Sequence, residues 1–347
     1  MLIHKERIPV LHILLYGLWP SFLKKILYRL KGYRFGKHVR IRFGAVVIGK
    51  KVSLADHVSI GFFSIVRGNE IDIRRYARIG AFSVVDTGRI FIDEDARINE
   101  QVYIGGMKTP TSSIHLGKRT IIMQLSYLNP TLPIVIGDDS GIGGHCLFFT
   151  HGSWNSELEG YPVRFAPITL GKKVWLPWRV FVMPGVTIGD GSVIGANSLV
   201  TTEIPANTLA AGSPAKVIRE NFPSVPSEND QREIIRRVLR EFTEYMQYEG
   251  ITAGTNETAE VITISFRGKG KRGELNYYLK TPSAEKSGRH CILLCWNADK
   301  ELMRSLIRSG NGMVLSLGTN LRLGSNDAGE ELTAYLSRHG IRFSRID

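Results

Sequence analysis

Cysteine is scarce in this chain: Cys146, Cys291 and Cys295 are the only three in 347 residues, and no two form a Cys-x-x-Cys pair. That excludes a disulfide framework, and a reducing cytoplasm is the simplest setting. A membrane-length apolar run is also missing. The apolar stretch Val10–Trp19 spans ten residues, broken by His12 and Gly17, where a bilayer crossing needs roughly 20. No small-residue cleavage site of signal-peptide type accompanies it. Gly318, Gly324 and Gly329 do not form a phosphate-binding fingerprint and read as turns. No nucleic-acid-binding motif is present and no basic face runs through the body, so nucleic acid is not an expected partner. A charged fraction of 22% and a hydrophobic fraction of 43% are those of a folded soluble protein. The length allows two or three domains.

Acid is nearly absent from the first 42 residues. Lys5, Arg7, Lys24, Lys25, Arg29, Lys31, Arg34, Lys37, Arg40 and Arg42 stand against Glu6 alone, so +9 of the net +13 lies there. Leu11, Leu14, Leu15, Leu18, Phe22, Ile26 and Leu30 form a helical stripe within this segment, and Pro20 marks a break or restart. Two readings stay open. The segment at 1–36 caps the open end of a repeat array. Alternatively it lies in the plane of an anionic leaflet, with Lys and Arg holding headgroups, at the inner face of the membrane.

What the chain has in abundance is a beat of six. Apolar residues fall at Leu170, Leu176, Val182, Ile188, Ile194 and Val200 without a slip. Earlier runs are Ile48, Leu54, Ile60 and Val66; Ile73, Ile79 and Val85; Ile92, Ile98 and Ile104; Leu116, Ile122 and Leu128; and Ile136, Ile142 and Phe148. Gly or Ala often follows, as at Gly189, Gly195 and Ala55. Six fits neither a helix of period 3.6 nor an alternating strand. It fits a coil of three flat faces, with one aliphatic per face pointing into a narrow prism, small residues at the corners and eighteen residues per turn.

The prism is expected within 37–222. Two segments leave the beat: Gly105–Ser113, and the longer Phe149–Thr169, which holds His151, Trp154, Glu157, Glu159, Tyr161 and Arg164. A loop of that length inside a compact repeat is usually functional. After a Pro/Ser linker, residues 228–347 read as a small α/β domain. Ser227 caps a helix through about Tyr248, and strand-like runs at Val261–Phe266, Leu275–Leu279, Cys291–Trp296 and Met313–Leu317 follow. Helical candidates Asp299–Ser309 and Asp327–His339 alternate with them, and Ile341–Ser344 reads as a last strand.

The stretch from Val174 to Val200, containing ValTrpLeuPro and MetProGlyValThrIleGlyAspGlySerValIleGlyAlaAsnSer, followed by AlaGlySerProAlaLys at 211–216, resembles the hexapeptide-repeat acyltransferases, nearest to the sugar and polysaccharide O-acetyltransferases. The resemblance covers about 37–220. It implies a mainly β fold, a left-handed parallel β-helix, here with a short N-terminal helix and the C-terminal α/β domain. It implies a homotrimer with sites in grooves between prisms, acetyl-CoA as acyl donor, no metal, and a sugar or polysaccharide-precursor hydroxyl as acceptor.

In such enzymes a loop histidine deprotonates the acceptor. Here it is His151, 24 residues before Trp175. Imidazole suits the task because it accepts a proton near neutral pH. Its orienting partner is not evident: Gly152 stands where relatives carry Asp, leaving Glu157 and Glu159 as candidates. The resemblance places coenzyme A by Trp175, Ala196, Ser198 and Thr201, with Lys216 and Arg219 at its phosphates. Gln124 and Asn129, in the coil before the loop, are expected sugar contacts. Pro177 and Thr202 depart from the pattern, removing a backbone donor and a cation. Two alternatives use the same prism. One is a carbonic anhydrase of the γ type, with His115, His145 and His151 as metal ligands. The other is a β-helix that has lost catalysis and serves binding or assembly.

Overall fold

The computed structural model describes residues 8–152, 155–268, 271–279, 288 and 290–346. The chain divides into two compact units, Met1–Ser224 and Val225–Asp347.

In the first unit the beat becomes three sheets of eight, ten and eight strands, parallel except for the last pair of the second, visited in turn by each coil of a β-helix. The turn is not uniformly eighteen residues. Ile41, Ile60, Ile79 and Ile98 are successive register partners nineteen apart, as are Val47, Val66, Val85 and Ile104. Eighteen holds only late, for Leu170 with Ile188 and Val182 with Val200. The extra residue enters where the third sheet passes to the first. First-sheet strands Lys51–Leu54, Glu70–Ile73 and Arg89–Ile92 are accordingly four residues long and bury two aliphatics each, not one. Ile48 falls out of the inward set for the same reason. Val47 takes its place, since a one-residue step turns a strand side chain to the other face.

Most corners are turned by residues other than the expected small ones, though Gly44, Gly185 and Gly191 hold left-handed φ at three of them. His38, His57, Tyr76 and Asp95 hold left-handed φ of 56 to 62° at one corner, and Phe63, Phe82 and Gln101 hold 54 to 57° at the next. Each costs about 1–2 kcal/mol in an L-residue. Stacking between coils offsets part of this: rings follow at 4.8 Å from His38 to His57 and 4.7 Å from His57 to Tyr76. The small residue after the beat has a different task. A Cβ on Gly61 would lie 2.5 Å from the Gly80 backbone in the next coil, so coil spacing itself demands glycine.

Two places before many beat residues sits a buried serine. Ser64 Oγ donates to Gly80 O at 2.6 Å and accepts from Ser83 N at 3.2 Å. Ser83 Oγ in turn donates to Asn99 O and accepts from Val102 N. A polar ladder thus runs through an aliphatic prism with its hydrogen bonds made.

The N-terminal end is closed by two helices, Val10–Gly17 and Ser21–Leu30, which meet at 112° across Pro20. Lys24 is fully buried, and its Nζ donates to Arg42 O at 2.6 Å and Ala45 O at 3.0 Å, carbonyls of the first coil. Tyr28 is buried beside it, its hydroxyl accepting from Val47 N. Gly17 lies against Gly44, whose N–H donates to Gly17 O at 2.7 Å. So the capping reading is realised, and by the face opposite to the expected stripe. At the other end, strands Leu209–Gly212 and Ala215–Arg219 close the second sheet as an antiparallel pair.

The second unit is a seven-stranded mixed sheet in chain order. Its middle strands Lys271–Tyr278, Cys291–Cys295 and Met313–Ser316 run parallel. Helices Glu228–Tyr248 and Asp327–Arg338 cover one face through Leu239, Phe242, Leu332 and Leu336, and Lys300–Arg308 covers the other through Met303 and Leu306. Ser227, Asp299 and Asn326 cap the helices by accepting from backbone N–H groups. Strands Thr252–Glu257 and Leu321–Gly324 were not expected. The first is exposed except at Ala253 and has no alternation to reveal it.

Candidate active site

Both excursions leave the prism along one edge, between the third sheet and the first. Gly105 to Ser113 joins Tyr103–Gly105 to Ser113–Leu116, and the longer loop joins Leu147–Phe149 to Ile168–Leu170. His151 stands at the root of the longer one. Its neighbour Thr150 is fully buried, its hydroxyl donating to Asn129 O at 2.8 Å and accepting from Leu132 N at 3.0 Å. Ala166 N donates to Thr150 O at 3.0 Å. His151–Gly152 pairs antiparallel with Arg164–Phe165, so both ends of the loop meet at the histidine.

The imidazole of His151 stacks on Phe165, with centroids 5.5 Å apart and planes at 16°. Its Nδ1 is buried without a hydrogen-bond partner among the described residues. Burial lowers its pKa below the ordinary 6.5, because the charged ring loses water. The ring is therefore neutral at pH 7 and able to accept a proton. Glu157 and Glu159 lie in an exposed turn and make no hydrogen bond to it. Trp154 lies outside the described residues.

The shorter loop is pinned to the same edge. Met107 N donates to Thr131 Oγ1 and Thr109 Oγ1 to Thr131 O. Lys108 Nζ reaches Asp86 at 2.6 Å, and Asp86 is also held by Arg67. The two cations hold the buried Asp86 carboxyl below its usual range against the opposing effect of burial.

The other expected site residues are scattered. Asn129 is buried, its amide engaged with Tyr127 Oη and Thr131 Oγ1, so a sugar contact would require it to leave those partners. Gln124 is half-exposed at the corner between second and third sheets, where its carbonyl accepts from His145 N. Ser198 is buried in the ladder, donating to Gly195 O and accepting from Gly212 N. Ala196 is exposed at the corner between the second and third sheets. Thr201 follows the strand Leu199–Val200 on the His151 edge, two strands along the third sheet. Trp175 lies on the second sheet, in register with Val193. Lys216 and Arg219 are exposed on the strand that closes that sheet. In a three-sided prism the second sheet faces away from the edge that carries His151.

Pro177 has a visible effect. At the exit of the second sheet one N–H per coil donates to the next coil: Gly61 to Ile79, Gly80 to Ile98, Met123 to Ile142, Gly143 to Leu176. The rung from residue 177 to Ile194 is absent, and the ladder resumes from Gly195 to Ala210.

For the carbonic-anhydrase alternative, His115 stacks on Phe91 in the first sheet, His145 faces Trp178 at a corner, and His151 leaves the third sheet. Among the described residues no cluster of three His, Cys, Asp or Glu is placed to hold a metal ion.

Sequence reasoning missed Thr150, Phe165 and the Arg67–Asp86–Lys108 group. Only the last had a signal, in that residues 67 and 86 are one turn apart.

No family model matches the sequence. The chain is 40% identical over 119 residues to galactoside O-acetyltransferase of Escherichia coli K12, covering 31% of this chain and 55% of that protein. It is 46% identical over 87 residues to a putative colanic acid biosynthesis acetyltransferase of the same organism, covering 25% and 47%. A solved galactoside acetyltransferase in complex with coenzyme A is 36% identical, with 34% of this chain and 59% of that chain covered at a TM-score of 0.31. The chain spans about half the length of the curated relatives it matches. The proteins it resembles are hexapeptide-repeat acetyltransferases.

Proposed function

From a β-helix similar to those acetyltransferases, and from a half-buried, neutral histidine anchored at the root of its longest loop, we propose an O-acetyltransferase. It moves an acetyl group from acetyl-CoA to a sugar hydroxyl of a cell-surface polysaccharide or glycolipid precursor. The observation that carries this reading is His151: held by Thr150, walled by Phe165, and kept in its base form by desolvation.

The chemistry balances without a metal. The imidazole takes the hydroxyl proton as the sugar oxygen attacks the thioester carbonyl. The carbon–sulfur bond breaks, and the same proton passes from imidazolium to the departing sulfur, leaving an acetyl ester and free coenzyme A. Exposed Lys216 and Arg219 at the end of the second sheet, and Trp175 on it, support a coenzyme A contact along that sheet, with the cations at its phosphates. Those residues and His151 stand on opposite sides of one prism. A second copy, presenting its second sheet to this edge, brings the two sets together, which supports a homotrimer with sites between neighbours.

The test is turnover of acetyl-CoA with a galactoside acceptor, alongside calorimetric titration with acetyl-CoA. His151→Ala is expected to keep the fold and the affinity for acetyl-CoA while losing roughly 10²–10⁴-fold in turnover. Near-normal turnover in that variant would remove His151 from the mechanism. No binding of acetyl-CoA by the unaltered protein would favour a prism used for assembly.

A further inference from the structure

The N-terminal helices are inside out. A helix that covers a core normally buries its apolar stripe and offers lysines to water. Here Lys24 and Tyr28 face the first coil, and the stripe faces away from it: Leu11 is 65% exposed, Phe22 61% and Leu30 81%, with Leu14, Leu15, Leu18, Trp19 and Ile26 between 45 and 58%. The exposed side chains run across both helices and the bend between them. Buried hydrogen bonds of Lys24 Nζ and the Tyr28 hydroxyl fix that orientation.

We propose that this face lies in the interfacial layer of an anionic membrane. The charge that accompanies the stripe favours a lipid surface over a protein. No acidic residue occurs from Ile8 to Ala55. Lys25 and Arg29 lie on one flank of the Phe22–Ile26–Leu30 row at 100° per residue, and Arg29, Lys31, Arg34, Lys37, Arg40 and Arg42 are exposed. Aliphatic depth with cations alongside is the chemistry that anionic headgroups over acyl chains recognise. Trp19, half-exposed at the bend, fits the same boundary. Among the described residues no single helix is long and apolar enough to cross a membrane, and the 112° bend between the pair suits lying in the plane rather than spanning it. The inference does not rest on acetyl transfer.

The experiment is flotation of the full chain with vesicles of phosphatidylcholine alone, and with vesicles containing about a third phosphatidylglycerol. The unaltered protein is expected to float with the anionic vesicles, at least about tenfold more than with neutral ones. The triple variant Leu14→Ser, Phe22→Ser, Ile26→Ser changes only exposed side chains, so its melting is expected to stay unchanged while flotation is lost. The double variant Lys25→Glu, Arg29→Glu is expected to lose the preference for anionic vesicles. Three results would overturn the proposal: no flotation of the unaltered protein, equal flotation of the triple variant, or a fall in sedimenting mass in the triple variant without vesicles. The last would mark the face as a contact between copies.

Discussion

His151 carries a pH signature set by its surroundings. If His151 is the proposed base, it must be neutral to accept a proton, and turnover then falls as acidity rises through the histidine pKa. Burial against Phe165 lowers that pKa. The acid limb of kcat/KM is therefore expected to have its midpoint below the ordinary 6.5. Phe165→Ala admits water to the ring and is expected to move the midpoint upward toward that value. A midpoint above it in the unaltered enzyme would instead indicate a carboxylate closing on the buried Nδ1, with Glu157 and Glu159 the first to replace. His151 stood out in the sequence because it sits in a segment that drops the beat. Phe165 did not, because its nearness depends on a hairpin inside a patternless loop. Asn129 is expected at the sugar because it lies in the coil before the loop, and Ser198 at coenzyme A because the resemblance puts it there, yet both side chains are engaged inside the prism. Whether such a side chain points in or out depends on its register position in the coil, which the residue type alone does not give.

Coils and helices obey different rules about what the sequence reveals. The beat announced the prism because each inward position stacks on its like: Ile41, Ile60, Ile79, Ile98, Ile122 and Ile142 form one buried column. Ile98→Ala removes a fully enclosed side chain from that column, and a loss of about 2–5 kcal/mol is expected, read from urea unfolding of the first unit. The N-terminal stripe was equally plain, yet its direction was not, since helical periodicity defines a face without saying which side the core takes. Lys24 decided it, and it leaves a second measurable trace. Burial lowers its pKa to about 8 from 10.5. Between those values the unfolded chain holds a proton that the folded one has lost, so stability rises with pH across that window. Below about 8 both states are protonated and the folded state bears the full cost of the buried charge. The stability of the unaltered protein relative to Lys24→Met is therefore expected to grow by up to roughly 3 kcal/mol between pH 7 and pH 10. A flat difference would mean that the ammonium is better solvated than its two carbonyl bonds imply.

The two proposed sets of site residues stand on different sides of the prism, and that placement bears on assembly. His151 and Thr201 share one edge, while Trp175, Lys216 and Arg219 belong to the sheet opposite. No rearrangement of a stacked β-helix brings them together within a chain, because each coil is tied to the next by ladder hydrogen bonds along all three sheets. If both sets serve one reaction, the site is built between copies, and complementation follows. Neither His151→Ala nor the double variant Lys216→Glu, Arg219→Glu is expected to turn over acetyl-CoA appreciably alone. Unfolded together and refolded as a mixture, they form some interfaces in which the intact histidine of one copy meets the intact basic strand of the next. With random mixing a sizeable fraction of the lost turnover returns, and sedimentation gives three times the 38.8 kDa of one chain. If the mixture stays inactive while the trimer forms, the basic strand and the histidine do not act on one acetyl-CoA. The phosphates would then have to lie along the His151 edge, where Arg164 passes over Gly185 and Thr201 follows.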